Sequence, residues 1–497
     1  MGTKNEATAK TYGGLSQKNL IAYVVGLGIM LISWFLPAVD PITPMGMKVI
    51  GTFLGVIILW ATEVTLWPSL LGLLAIALTG YAGEGYAGIK TAFLNAYGNE
   101  TVILIILATV LFGAMTESGT TQYISRWILT RKVINNRPYI FMAFVFLAGW
   151  ALCALTSAVS SFILLWPICL RIMADIGVTK EDKVWHYFFV GMFITMTLGM
   201  CLFPFKGAVL GVIGTYNELS AEGVAYLPYM ALNFIMTLLC MIVYLLIVKF
   251  IVRPDVSKLK EIDAERLQKE QPLPKMNIEQ KLYLLMVPLY VLALILPSFM
   301  SKEIALIKML STIGTLGVTV IFIVFFCIAR YQGRAMLDFK TVANKYVNWG
   351  LYFMIATAIY AAGALSSNDV GFKQFIIQLL NPILGNCPEF VFVFLVLFMA
   401  MLLTSFANNA ASGIVLLPIV VSFCEQKGMD PTSLAMCVIM IVFMAMLTPA
   451  ASPHASMMHG RKDIFEAKYI YKIGLPMSLL VLVLYTFVGY PLAKILF

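Results

Sequence analysis

Two adjacent asparagines, Asn408 and Asn409, lie within Leu403-Thr404-Ser405-Phe406-Ala407-Asn408-Asn409-Ala410-Ala411-Ser412-Gly413, with aliphatic sequence on both sides and Leu417-Pro418 beyond. On a lipid-facing helix their amides would meet hydrocarbon and find no partners. A helix break that lines a cavity removes the conflict. Such breaks leave free backbone N–H and C=O groups at membrane depth, the means by which secondary transporters hold anions and small cations.

The rest of the chain suits that setting. Of 497 residues, 61% are hydrophobic and 12% charged, with mean hydropathy +0.90, which excludes an ordinary soluble domain. Long apolar runs rich in Met and Phe, without short alternating strands, indicate α-helical spans instead of a β-barrel. The net charge of +9 falls mostly in short loops between apolar runs, where topology accounts for it and nucleic-acid binding is not required. Eight cysteines without paired spacing read as packing residues, not disulfides or metal ligands. The polar stretch Met1–Lys18 lacks a small-residue cleavage site after the first apolar run, so Leu20–Leu36 reads as a retained span and not a signal peptide.

Taken in order, residues 1–18 form a cytoplasmic segment and residues 19–252 a first repeat. Spans are expected at 20–36, 47–62, 69–80 and 100–116, with an amphipathic stretch at 81–99. Glu63 falls at a cytoplasmic turn and Glu117 faces a connector bearing Arg126, Arg131, Lys132 and Arg137. Residues 138–173 are long enough for two helices but have no charged turn, only Thr156-Ser157-Ala158-Val159-Ser160-Ser161, which fits a re-entrant hairpin entering from the cytoplasm. Residues 185–217 cross outward and break at Pro204-Phe205-Lys206-Gly207; residues 228–252 return. A basic cytoplasmic linker, 253–280, leads into a second repeat, 281–497. That repeat carries an outer hairpin at about 390–423, a broken span at about 433–456 interrupted at Thr448-Pro449-Ala450-Ala451-Ser452-Pro453, and a final span at 474–497.

Gly113-Ala114-Met115-Thr116 echoes Gly363-Ala364-Leu365-Ser366, and Leu164-Leu165-Trp166-Pro167 echoes Leu416-Leu417-Pro418, each about 250 residues on. Every basic cluster then lies on one side of the membrane, and the hairpins enter from opposite sides. The expected fold is an all-α polytopic membrane protein of two inverted repeats, each with a re-entrant helical hairpin and a broken transmembrane helix. It would lie in the plasma (inner) membrane with its N-terminus cytoplasmic and its C-terminus outside.

Four interrupted elements meeting near the midplane would offer half-helix N-termini to a carboxylate, sulfate or phosphate. Broken-span carbonyls with Thr, Ser and Asn oxygens could hold Na⁺. An enzyme would need a cluster of His, Asp, Glu or Cys, whereas the three histidines lack acidic partners and the acids are scattered. A channel would need a continuous pore, which two midplane tips would close.

The chain resembles the divalent anion:sodium symporter (DASS) family of the ion-transporter superfamily. The resemblance is carried by Trp60-Ala61-Thr62-Glu63 followed by Pro68, by Asn348-Trp349-Gly350, by Leu403 to Asn409 ahead of Pro418, and by Ala450-Ala451-Ser452-Pro453. It implies a homodimeric elevator transporter, in which a transport domain carries a di- or tricarboxylate or sulfate past a scaffold, with Na⁺ as the co-transported ion and no organic cofactor. The partners are then a small anionic metabolite and the lipid bilayer.

The family's Ser-Asn-Thr triplet at each tip is altered here, to Asn408-Asn409-Ala410 and to Ser157-Ala158-Val159. Carried over, the resemblance implies one Na⁺ site at Thr404, Ala407, Asn409 and Ala451, and the remains of another at Cys153 and Ser157. It places substrate on Ser157, Asn408, Asn409, Ser452 and Pro453. Lys206 stands where the family has a glycine-rich segment. It either substitutes for a sodium ion or pairs with substrate carboxylate, or else it snorkels to the outer interface.

His454 is a proton-coupling candidate or merely a loop residue near the site; His186 and His459 fall at interfaces. No arginine lies in the tips, which favours a C4-dicarboxylate over a trianion. The expected activity is Na⁺-coupled transport of a small divalent organic anion. The alternatives are a Na⁺-independent exchanger or uniporter with Lys206 replacing a cation, a sulfate or tricarboxylate carrier, and an anion channel.

Overall fold

Each hairpin tip is set by local chemistry: a helix of aliphatic and aromatic residues runs out of hydrogen-bonding continuity, and a polar residue caps the helix that follows. In the first hairpin, Pro138–Leu155 ends at Thr156, and the Ser157 hydroxyl accepts from Ser160 N at the start of Ala158–Asp175. In the second, Glu389–Phe406 gives way to Asn409–Gln426, whose N-cap Asn408 accepts from Ala410 N at 3.0 Å and Ala411 N at 3.4 Å. Both return helices contain a proline, Pro167 and Pro418, at matching positions.

The computed structural model describes residues 11–497 apart from 13–14, 61, 63, 130–131, 221–222, 263–274, 299, 302, 386, 407 and 450. Ala407, Glu63, Arg131 and Glu222, along with part of the N-terminal segment and the middle of the 253–280 linker, lie outside the described residues. Among the described residues, nine helices are long and apolar enough to cross a membrane, or ten if the pair Phe339–Tyr346 and Trp349–Leu365, bent by 76°, is taken as one span.

From Glu100 onward the element order occurs twice, at a spacing of about 250 residues. Glu100–Glu117, Thr120–Leu129, the first hairpin, the broken span Lys183–Gly199 with Gly207–Leu219, and Tyr226–Leu246 match a second series. That series is Trp349–Ser366, Phe372–Leu384, the second hairpin, Pro431–Val442 with Pro453–Gly460, and Ala467–Leu484. Both last spans continue into a π-helical segment, Ile247–Val252 and Tyr485–Gly489.

Five crossings separate the hairpins: the first broken span, Tyr226–Val252, Ile278–Ile295, Ala305–Ile328 and Trp349–Ser366. An odd number places the two hairpins on opposite faces, so the repeats are inverted.

Two helices escaped the sequence reading. Thr120–Leu129 and Phe372–Leu384 each precede a hairpin, where the sequence marks a basic connector in the first case and no element in the second. Their apolar residues recur at helical spacing (Ile124, Trp127, Ile128; Phe372, Phe375, Ile376, Leu379) among polar ones, the pattern of a helix lying along an interface. Ala305–Ile328 also carries a kink at Gly314, whose φ of +61° only glycine adopts without strain.

The interior is occupied by the hairpins and broken spans. The most apolar stretch of Asn409–Gln426 is 78% buried, against 22% for that of Ala305–Ile328, so the former is core and the latter presents most of its surface outward. Phe162 stacks on Phe193 at 5.0 Å and Trp166 packs on Phe465 at 5.3 Å, joining the first hairpin to both broken-span regions.

A second aromatic cluster contains Phe112, Phe203, Phe205, Tyr283, Tyr290 and Phe326. It ties Glu100–Glu117 and the first break to Ile278–Ile295 and Ala305–Ile328. On the far side, Trp60 Nε1 donates to Ser69 Oγ at 3.0 Å, and a Cβ added at Gly350 would lie 2.4 Å from Thr65 Oγ1. The turn between Trp60 and Pro68 therefore abuts the Asn348-Trp349-Gly350 turn.

Candidate functional site

Four helix N-termini belong to the interrupted elements: Ala158, Gly207, Asn409 and Pro453 begin them, and Ser157, Lys206, Asn408 and Ser452 are the respective N-caps. Ser452 Oγ accepts from Ala455 N at 3.1 Å, and Ser157 and Asn408 cap as described. Three of the expected substrate residues are therefore caps. Their oxygens hold the first free N–H groups of a helix, and the remaining N–H groups of each first turn carry partial positive charge. Only the helix at Gly207 has no side-chain cap; Lys206 stands there instead.

The pairing is reciprocal between repeats. Ala158–Asp175, the return arm of the first hairpin, packs against Pro453–Gly460 of the second broken span. Asn409–Gln426, the return arm of the second hairpin, packs against Gly207–Leu219 of the first. Each N-terminal half of a broken span also closes on its neighbours: Phe193 lies 5.9 Å from His454, and Gly413 faces both Val212 and Val442. The tips are thus brought into one region. Among the described residues, no hydrogen bond joins Ser157 to Asn408, Asn409 or Ser452.

At the second tip, Thr404, Asn409, Ala451 and Ser452 are buried, Asn408 is half-buried and Pro453 is exposed. Thr404 Oγ1 lies 3.0 Å from Asn409 Oδ1 and 2.5 Å from Val442 O. A single hydroxyl proton faces two acceptors there, which makes an oxygen-rich corner of the kind a small cation occupies. Thr448, beside the second break, donates through Oγ1 to the Ser405 carbonyl. Ser412 Oγ and His454 Nε2 are buried and have no hydrogen-bond partner among the described residues. Ser412, one turn into the return helix, closes the tip expected from sequence but has no role assigned there, and the Val442 carbonyl lies outside that expectation.

At the first tip, Cys153 is buried and Ser157 exposed. Thr156 Oγ1 bonds to Leu152 O at 2.8 Å and to Ser161 Oγ at 2.7 Å, closing the end of the entering helix on itself. Lys206 does not snorkel outward. Its Nζ donates to Ala154 O at 2.9 Å and to Thr156 O, the last carbonyls of Pro138–Leu155 and its cap, with the Phe112 ring centroid 5.0 Å away. Ala154 and Ser405 are repeat counterparts, so Lys206 in one half and Thr448 in the other reach the same carbonyl position.

The other singled-out residues lie at element ends. Glu117 Oε2 accepts from Lys345 Nζ at 2.5 Å and Tyr346 Oη at 2.9 Å, joining the connectors of the two repeats. His186 stacks on Tyr469 with ring centroids 3.5 Å apart and bonds to Lys180 O, while His459 Nε2 is 3.1 Å from Met446 O. No cluster of three His, Cys, Asp or Glu side chains able to hold a metal occurs among the described residues.

The family described as CitMHS, citrate transporter, matches residues 56–438, which span both hairpins and the first broken span and end within Pro431–Val442 at the start of the second. The chain belongs to the CitMHS family. This is the ion-transporter superfamily to which the DASS resemblance also pointed. An uncharacterized transporter from Haemophilus influenzae is 21% identical over 492 residues, covering 96% of this chain and 97% of its own length. A membrane protein from Cupriavidus necator is 20% identical over 482 residues, covering 93% and 89%. In three dimensions the chain is similar to the Alcanivorax borkumensis YdaH transporter, described as having an unusual topology. The TM-score is 0.57 at 14% identity, over 88% of this chain and 98% of that one. This CitMHS chain is therefore an integral membrane transporter with a YdaH-like fold.

Proposed function

We propose that the protein is a secondary active carrier of small di- or tricarboxylates, working by alternating access. The observation that carries this reading is the reciprocal packing of two capped hairpin return arms on two broken spans. A carboxylate placed there meets helix N-termini, the Ser157 and Ser452 hydroxyls and the Asn408 and Asn409 amides without a full positive charge from arginine. That donor set favours a C4-dicarboxylate. Citrate is the second reading, favoured by the family's description.

In the same reading Thr404 and Asn409, with the Val442 carbonyl, hold a co-transported Na⁺ at the second tip. Ala451, buried beside the break, would help enclose that ion. The DASS resemblance adds a homodimer whose transport domain moves as an elevator past a scaffold. Uptake of radiolabelled succinate and citrate into proteoliposomes, with and without a Na⁺ gradient, tests the proposal. Saturable uptake that trans-substrate accelerates is the expected result. Ohmic current, or no uptake of any carboxylate, overturns it.

A further inference from the structure

Lys206 has no carboxylate partner among the described residues, although it is an ammonium set among apolar spans. Its surroundings are carbonyl oxygens: Ala154 O and Thr156 O, both freed because Pro138–Leu155 ends there. An aromatic face lies beside it: Phe112, with Phe203 stacked on the Phe112 ring. The matching carbonyl in the other repeat, Ser405 O, receives only the neutral hydroxyl of Thr448, next to the Thr404–Asn409–Val442 oxygens. Two repeat-related corners thus differ in what reaches the shared carbonyl position: the first receives the Lys206 amine, and the second a hydroxyl beside the Thr404 and Asn409 oxygens, where the first has Cys153 and Ala158.

We propose that the Lys206 ammonium is a tethered cation, permanently filling the first of two repeat-related cation positions, so that at most one free cation couples to transport, at the second. This deepens the carrier reading and rests on it. An ammonium carries three N–H donors and one charge, and two of its donors are placed on carbonyls that a sodium ion would otherwise have to coordinate. A tethered charge costs no binding entropy and needs no gradient to stay in place. It therefore holds the entering helix end of the first hairpin against the first break in every step of the cycle, whereas a free ion would leave once per cycle. The arrangement also keeps one positive charge at the anion site when external Na⁺ is absent.

The test compares the parent with Lys206→Ala and Lys206→Gln in full-length protein, by two readouts. In detergent, thermal unfolding is followed in NaCl against N-methyl-D-glucamine chloride at equal ionic strength. Both variants are expected to lose stability in the organic cation and to recover part of it in Na⁺, with a larger Na⁺ response than the parent, because the vacated carbonyls now bind the ion. An identical Na⁺ response in parent and variants overturns the proposal.

In proteoliposomes, [¹⁴C]succinate and [¹⁴C]citrate uptake is measured against Na⁺ concentration. A parent Hill coefficient of one or less supports the proposal, and one near two overturns it whether or not a variant folds. The variants are expected to lose at least tenfold of low-Na⁺ uptake and regain part of it as Na⁺ rises. Variants that match the parent at every Na⁺ concentration, or that elute as monodisperse protein yet are not rescued by Na⁺, overturn it. Absence of carboxylate uptake by the parent would instead count against the carrier reading, and the unfolding experiment would still decide the role of Lys206.

Discussion

Gly413→Ala probes the crossing on which the site depends. A Cβ at this position would lie 2.6 Å from Val212 Cγ1, 3.1 Å from Val212 Cγ2 and 3.3 Å from Val442 Cγ2. Val212 and Val442 are fully buried, so neither can swing into open space, and rotating Val212 about χ1 exchanges one γ carbon for the other. Either the return arm of the second hairpin moves off the first broken span or the valines leave their rotamers.

Overpacking of this kind costs about 1–3 kcal/mol, and the penalty is steric, so it does not depend on water and carries over to a membrane interior. That corresponds to roughly a 5- to 150-fold loss in the folding equilibrium constant. Val442 also supplies the carbonyl that faces Thr404, so a displaced Val442 reduces carboxylate uptake as well as stability.

Val212→Ala alone loses the packing of two methyl groups and leaves a cavity, at a cost on the order of 1 kcal/mol. Combined with Gly413→Ala it makes the missing room, so the double variant is expected to be at least about 1 kcal/mol more stable than the sum of the singles. Unfolding by SDS titration from mixed micelles measures all four proteins. If Gly413→Ala unfolds with the parent and the coupling lies within about 0.5 kcal/mol of zero, the two elements do not cross at this point and the convergence of the tips is wrong.

Thr404→Val keeps the shape of the residue but removes the hydroxyl between Asn409 and Val442, and is expected to weaken Na⁺ dependence of uptake by at least tenfold; an unchanged Na⁺ curve rules this corner out as the cation site. Ser452→Ala removes the cap of Pro453–Gly460, costing about 1 kcal/mol of stability, and should raise the KM for carboxylate; a stability loss with unaltered KM would make Ser452 a structural cap only. Away from the site, Lys258 bonds to Asp182 at 2.8 Å and holds its carboxyl below the usual aspartate range. That contribution is complete above the unfolded carboxyl pKa and fades as pH falls through the lower folded one. It amounts to at most about 1 kcal/mol because the pair is solvent-exposed. Lys258→Ala should therefore narrow the stability difference between pH 7 and pH 3 slightly, and a widened difference would contradict the assignment.

What the sequence determined by itself is whatever depends on a residue and its near neighbours along the chain. Apolar runs the length of a bilayer place the spans, and an abrupt change from aliphatic to small polar residues marks a helix break. Ser157, Asn408 and Ser452 came from the family resemblance as substrate contacts; that each is an N-cap, acting within three residues of itself, is what the structure adds. The connector helices before each hairpin were missed because interfacial helices mix charge with apolar residues and fall below any span-length signal.

Only the tertiary structure decided where long side chains end and which backbones cross. Lys206 finds its acceptors 50 and 52 residues back, and Thr404 meets Val442 38 residues on. The same lysine could have reached the interface, and nothing in its flanking sequence forbids that. What turns it inward is the end of a different helix delivered to it, whose two unpaired carbonyls in a water-poor interior are satisfied by the nearest donor. Such a choice depends on how the repeats are stacked, and pairwise proximity across a fold is information that neither composition nor periodicity contains.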